Sequence, residues 1–374
     1  MKTLGELCNI VSGGTPLRSK TEFWDGGTIP WIKISNIKEK YVSEADEFIT
    51  EEGLLGSSAK MLNKGTVLYT IFATLGEVGI LKINACTNQA IAGLTIKDPT
   101  KLSTDYLYYY LKSKKSYVNS IGRGVAQNNI NMTLLKKFVI PLPNLLKQNE
   151  IVGVLDNVSN IIDIHQKELK YLDELVKARF VEMFGNPVIN SRKWKTEELN
   201  SIAPISNFSG NLEDKVWLLN LDMIEPQTGR IIDYLYVSID EVGSSTCKFD
   251  TDNVLYSKLR PYLNKVVIPD RSGYATSELV PFRPKKSKLN RVYLAFLLRS
   301  NEFVNMINEK VAGAKMPRVS MTELKKFRVP VPPIELQNEF AEFTKQVDKS
   351  REIIQKKIDT YQELFDKLMQ EYFG

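Results

Sequence analysis

Met132-Thr133-Leu134-Leu135-Lys136-Lys137-Phe138 recurs 189 residues later as Met321-Thr322-Glu323-Leu324-Lys325-Lys326-Phe327. The same offset carries Pro141-Leu142-Pro143 onto Pro330-Val331-Pro332 and Gln148-Asn149-Glu150 onto Gln337-Asn338-Glu339. It also carries Glu182-Met183-Phe184-Gly185 onto Glu371-Tyr372-Phe373-Gly374. The chain is therefore two copies of one unit. A period this long denotes a duplicated domain and not a solenoid, whose repeats span about 20–50 residues. Each copy ends in a glycine just past a helical pattern, where a C-cap needs positive φ.

Within each copy the pattern changes at the prolines. Before them lie β-branched and aromatic runs bounded by turn residues, such as Gly65-Thr66-Val67-Leu68-Tyr69-Thr70-Ile71 and Asn253-Val254-Leu255-Tyr256-Ser257-Lys258-Leu259, which predict strands. Helical stretches at residues 104–113 and 291–300 interrupt them, so each module is mixed α and β. After the prolines both copies become helical. In the first, Leu155, Val158, Ile162, Leu169, Leu172 and Val176 form a heptad stripe broken by His165 and Arg179. In the second, Val347, Ile354, Ile358, Tyr361, Phe365 and Leu368 continue the same stripe, with Arg351 as its break. Each rod, about 60 Å long at 1.5 Å per residue, needs a partner for this seam. The other rod is the obvious one, and each helix could cover some of its partner's polar breaks. The expected fold class is α+β: mixed modules at 1–143 and 186–332, each followed by a long helix at 144–185 and 333–374. The helices would pair as an antiparallel coiled coil with an approximate two-fold axis.

Composition limits the chemistry. The 374 residues, 43% hydrophobic and 25% charged, are a globular chain long enough for two or three domains. No apolar run reaches 18 residues and the N-terminal stretch lacks signal-peptide character, so a cytoplasmic protein without membrane contact is expected. Cys8, Cys86 and Cys247 fit neither a disulfide framework nor a metal-ligand spacing. One histidine, His165, on a helical core stripe, removes most His-dependent catalysis. There is no phosphate-binding loop and no G-x-G-x-x-G. The single Pro-Pro pair, Pro332-Pro333, lacks the Asn-Pro-Pro-Tyr surroundings seen in adenine methyltransferases. No carboxylate pair marks a metal or hydrolytic site. The expectation is a protein without catalytic residues, metal or cofactor of its own.

Charge points to a polyanion. Residues 1–143 hold 17 Lys and Arg against 12 Asp and Glu, and residues 186–332 hold 22 against 16. The helical segments are acidic, with 5 against 7 and 6 against 9. Positive charge confined to two modules suits DNA touched at two places. Gly122 to Asn131 joins Arg123 to the amides Gln127, Asn128 and Asn129, and the second copy has Lys315 and Arg318 at the matching place. Arg pairs with guanine O6 and N7, and Asn or Gln with adenine N6 and N7, so these are the side chains of direct readout. Lys258, Arg260 and Tyr262, and Lys33, Ser35 and Asn36 after Trp31, are further DNA-binding candidates.

These residues resemble the DNA-specificity subunit of type I restriction-modification systems, and the likeness spans the chain. It is carried by Tyr69 through Gly79, by Asn88-Gln89-Ala90-Ile91-Ala92-Gly93-Leu94, and by Leu255 through Lys265. Residues 313–319 and the twice-repeated proline pair followed by Gln148 or Gln337 add to it. The resemblance implies two target recognition domains, each reading half of an asymmetric bipartite sequence in double-stranded DNA, with the paired helices setting the spacer. It implies a non-catalytic subunit that binds two methyltransferase subunits, and restriction subunits in the full complex. S-adenosylmethionine would be bound by the methyltransferase partner. The alternative is a two-headed protein-interaction scaffold without DNA specificity; steep loss of binding with salt separates the first reading from the second.

Overall fold

The computed structural model describes residues 1–122, 129–309 and 317–374. The chain divides into two compact units, Met1–Gln166 with Lys356–Gly374, and Lys167–Gln355. The two long helices run Leu145–Phe184 and Ile334–Phe373, 40 residues each, and each unit takes a segment of both.

In the first unit a five-stranded sheet orders Cys8–Ser12, Ile91–Ile96, Val67–Thr70, Val78–Leu81 and Tyr41–Val42, antiparallel except for its last pair. A three-stranded sheet has Ile29–Ile32 between antiparallel Glu47–Ile49 and parallel Cys86–Thr87. Strands Val67–Thr70 and Val78–Leu81 are buried at every position, which explains why they read as unbroken apolar runs and not as an alternation. Lys2–Thr3 pairs with Val139–Ile140 just before the first long helix. The helix Thr104–Ser113, capped by Ser103, buries Tyr106, Tyr109 and Tyr110. Against it packs the end of the second long helix: Phe373 lies 5.1 Å from the Tyr106 ring, and its carbonyl accepts from Lys114 Nζ at 2.8 Å.

The second unit repeats the plan. Four strands order Leu235–Ser238, Lys215–Leu219, Gly273–Thr276 and Thr246–Phe249, and the pair Lys215–Leu219 with Gly273–Thr276 is parallel, as Ile29–Ile32 with Cys86–Thr87 is. A second sheet sets Val254–Ser257 between Val266–Val267 and Leu279–Phe282. Thr196–Glu198 pairs with Arg328–Pro330, just before the second long helix. The helix Arg291–Arg299 buries Tyr293 and Leu294; Phe180 of the first long helix stacks on Tyr293 and meets Phe340 edge-on, and Phe184 meets both rings edge-on.

Within each unit the helical segments run antiparallel. In the first, Lys147 lies within electrostatic reach of Glu371 and Tyr372, while His165 is 6.2 Å from the Tyr361 ring. In the second, Asp173 pairs with Arg351 at 2.8 Å and Arg179 with Glu339 at 3.0 Å. The seam residues Leu155, Val158, Ile162, Val176, Val347, Ile358 and Phe365 are buried, and Leu169, Leu172, Ile354, Tyr361 and Leu368 are half-buried. His165 lies against Tyr361 of the facing helix, whereas the two arginine breaks are not covered by apolar residues. Arg351 and Arg179 are answered by carboxylates of the facing helix, because a guanidinium drawn into the seam is stabilised by an opposite charge and not by an apolar cover.

Candidate nucleic-acid interface

In the second unit the strand Val254–Ser257 runs out into Lys258, Leu259 and Arg260. Arg260 is left-handed at φ 49, and Pro261 opens a single 3-10 turn, Pro261–Leu263, that presents Tyr262 half-exposed. Beside this edge runs residues 317–319. Arg318 bridges Leu259, Val319 N donates to Lys258 O at 2.9 Å, and Arg260 N donates to Pro317 O at 2.8 Å. Lys258, Arg260 and Arg318 are thereby gathered on one short ladder with Tyr262 on the turn that follows it, although 56 residues separate Tyr262 from Arg318 in the chain. Arg318 is exposed and pairs with Glu278 at 2.9 Å. Lys315 lies outside the described residues.

The first unit has the same mount. Asn129 bridges Phe72, Ile130 N donates to Ile71 O at 2.9 Å, and Ala73, two residues past Ile71, is left-handed at φ 61. Arg260 stands two residues past Lys258 in the same conformation. An alanine or arginine at positive φ costs roughly 1 kcal/mol, so its recurrence in both copies means that the surrounding ladder fixes it. Asn129 and Arg318 are 189 residues apart and occupy equivalent places in sequence and in structure. Arg123, Gln127 and Asn128 lie outside the described residues.

Lys33, Ser35 and Asn36 form a separate group after the strand Ile29–Ile32 of the three-stranded sheet, whereas Asn129 adjoins the five-stranded one. Asn36 Oδ1 accepts from Lys33 N at 2.9 Å, closing the 3-10 turn Ile34–Asn36, so this oxygen serves the backbone. Ser35 is exposed. Lys33 Nζ and Arg18 Nη2 both pair with Glu47 at 2.5 Å. The bond from Lys33 holds the Glu47 carboxyl below its ordinary range against burial, with Arg18 adding to it. Arg18 also lies over the Trp24 ring at 3.6 Å. Sequence reasoning missed both Arg18 and Glu278. Arg18 lies in a loop without periodicity, and Glu278 meets Arg318 only through the sheet.

The three cysteine thiols are pushed up by burial, to about 12 for Cys8 and about 11 for Cys86 and Cys247, far from a reactive thiolate. Among the described residues no group of His, Cys, Asp and Glu could hold a metal ion, and no helix is long and apolar enough to cross a membrane. The second unit also has a cleft of about 1120 Å³ bordered by Phe180, Phe296, Arg230, Arg299 and Asp348, whose lining includes neither Lys258, Arg260, Tyr262 nor Arg318.

Comparison with known proteins agrees with this geometry. The chain is 24% identical over 366 residues to the type I restriction enzyme MjaIX specificity subunit of Methanocaldococcus jannaschii, covering 89% of this chain and 83% of the relative. It is 28% identical over 192 residues to the EcoR124I/EcoR124II specificity subunit of Escherichia coli, covering 47% of each. Its fold matches a type I restriction-modification S subunit from M. genitalium with a TM-score of 0.56 at 16% identity, over 100% of this chain and 95% of that one. A chain from a structural study of complex assembly and conformational transition in the type I R-M system matches with a TM-score of 0.62 at 15% identity, over 99% and 96%. The family model of the type I restriction modification DNA specificity domain matches twice, at residues 1–174 and 228–361, and the chain belongs to that family.

Proposed function

We propose that this chain is the DNA-specificity subunit of a type I restriction-modification complex, in which each module reads one half of an asymmetric bipartite target in double-stranded DNA. The observation that carries this reading is the duplicated ladder: the same backbone mount presents Asn129 in one module and Arg318 in the other. Equal mounts with unequal readers give two half-sites of different sequence. The remaining described candidates, Lys33, Ser35, Lys258, Arg260 and Tyr262, would contribute phosphate and base contacts around them.

The chain would act without catalytic residues of its own. Two methyltransferase subunits would dock on it, each bringing S-adenosylmethionine, and restriction subunits would complete the assembly. The two long helices would set the number of unread base pairs between the half-sites, as a rigid spacer does in dimeric DNA-binding proteins.

Methylation sequencing of a bacterial genome tests this. The chain is expressed with the methyltransferase subunit of its own system, beside a control lacking the chain. A bipartite motif that depends on the chain is the expected result. A folded complex that methylates no motif would favour an interaction scaffold instead.

A further inference from the structure

We infer that Arg318, oriented by Glu278, reads a guanine in the half-site of the second module; this rests on the DNA-specificity reading above. Arg318 is fixed at its root. Its bridge to Leu259 is flanked by the Val319 to Lys258 and Arg260 to Pro317 backbone bonds, so the Cα has little freedom. Its head is fixed as well. Nη2 donates to Glu278 Oε1 at 2.9 Å and Nε approaches Oε2 at 3.4 Å. Glu278 stands on the same ladder, since its backbone carbonyl accepts from Lys258 N at 3.0 Å.

The edge that Glu278 takes decides what remains. A guanidinium has five N–H groups, and a carboxylate on the Nε–Nη2 side leaves the outer Nη1–Nη2 fork. Among the described residues Nη1 has no other partner, and the side chain is 54% exposed, so the fork faces solvent. That fork matches guanine O6 and N7 in the major groove. A phosphate contact would call for a different arrangement, because a carboxylate beside the cation cancels the charge that attracts phosphate. The neighbouring exposed Arg260 has no such carboxylate partner among the described residues and suits the phosphate role. In the first module the same mount carries Asn129, the side-chain type that pairs with adenine, which supports a base-facing position. Glu278 is thus a positioning residue and Arg318 the reader.

The test is methylation sequencing with the complete chain and its methyltransferase subunit, comparing wild type with Arg318→Ala, Arg318→Lys and Glu278→Gln. Arg318→Ala and Arg318→Lys are expected to make one guanine position in one half-site degenerate, with methylation at other bases there rising about tenfold or more. Glu278→Gln should relax the same position more weakly, and the other half-site should stay as it is. Lysine keeps the charge but loses the fork, so full guanine preference in Arg318→Lys overturns the inference in favour of a phosphate clamp. If Arg318→Ala gives too little methylation to read, duplex binding by the Arg318→Lys complex decides. Wild type should discriminate about tenfold against a substituted guanine pair and the variant should not; a variant that still discriminates overturns the inference. A motif unchanged in Arg318→Ala, or without a G·C pair in either half, also overturns it and leaves the specificity reading intact. No motif in the wild type would instead defeat that reading.

Discussion

Gln148 pins the start of the first long helix to Ser103, the cap of the helix Thr104–Ser113: its Oε1 accepts from Ser103 N at 2.9 Å. Its Nε2 donates to Lys101 O and Pro143 O, both at 2.8 Å. Gln337 makes the same three bonds in the second unit, accepting from Asn290 N and donating to Lys288 O and Pro332 O. Both glutamines are fully buried. The repeated glutamine after each proline pair is therefore a structural clamp. Gln148→Ala would leave one partly buried N–H and two partly buried or exposed carbonyls without their partner, for an expected loss of about 1–3 kcal/mol. Denaturant unfolding measures this, and a loss within about 0.5 kcal/mol, the range of ordinary surface substitutions, would mean that the clamp contributes little.

Phe180 anchors the other end of that helix. Its ring is buried against Tyr293, Phe296, Phe340 and Phe184, with centroids 5.1–6.3 Å away. Phe180→Ala should destabilise the second unit by about 3–5 kcal/mol. Leu175→Ala on the same helix should be nearly neutral, because Leu175 is 48% exposed. Equal losses for the two, measured by thermal unfolding, would contradict this assignment of the buried face.

The contrast between these positions shows what the sequence made legible. The heptad stripe through Leu155, Val158, Ile162 and Val176 follows from period alone, because helix–helix contact repeats every 3.5 residues. Phe180, Phe184, Phe340 and Phe373 escaped it because they also pack on module helices at the helix ends, against Tyr293, Phe296 and Tyr106, where burial follows tertiary shape and not a period. The duplication was legible because seven residues from Met132 and Met321 keep their spacing, and the matching strands then followed. The Arg318–Glu278 pair was not, since 40 residues separate its members and a sheet edge joins them. Arg179 and Arg351 were visible as breaks in the stripe, but which carboxylate answers each depends on the antiparallel register.

Glu47 gives a pH dependence with a definite sign. The Lys33 hydrogen bond, with help from Arg18, holds the folded carboxyl below its unfolded value in spite of burial. The unfolded chain then binds more protons as pH falls, so this contribution is present above the unfolded glutamate pKa, near 4.3, and is lost as pH drops through the folded value. Glu47→Gln removes the ionisation. The stability gap between wild type and Glu47→Gln should be widest near neutral pH and should close toward pH ~3. A gap constant from neutral to acid pH would show that Lys33 and Arg18 do not shift this carboxyl.

The spacer role of the helices yields a quantitative length prediction. Inserting one heptad into each helix at facing positions keeps the apolar seam in phase, because seven residues restore every core position to the partner side. The insertion lengthens each rod by about 10.5 Å. At about 3.4 Å per base pair this corresponds to about three base pairs of added spacer. Both helices must be extended, since their segments run antiparallel in each unit and one insertion alone would put Asp173 and Arg351 out of register. Methylation sequencing of the doubly extended chain should return the same two half-sites separated by about three more unread base pairs. Insertion of a half-turn in each helix should abolish methylation, because it rotates the seam residues away from one another before any spacer is set. Unchanged half-sites at the original spacing in the heptad variant would defeat the spacer role while leaving the reading of each half intact.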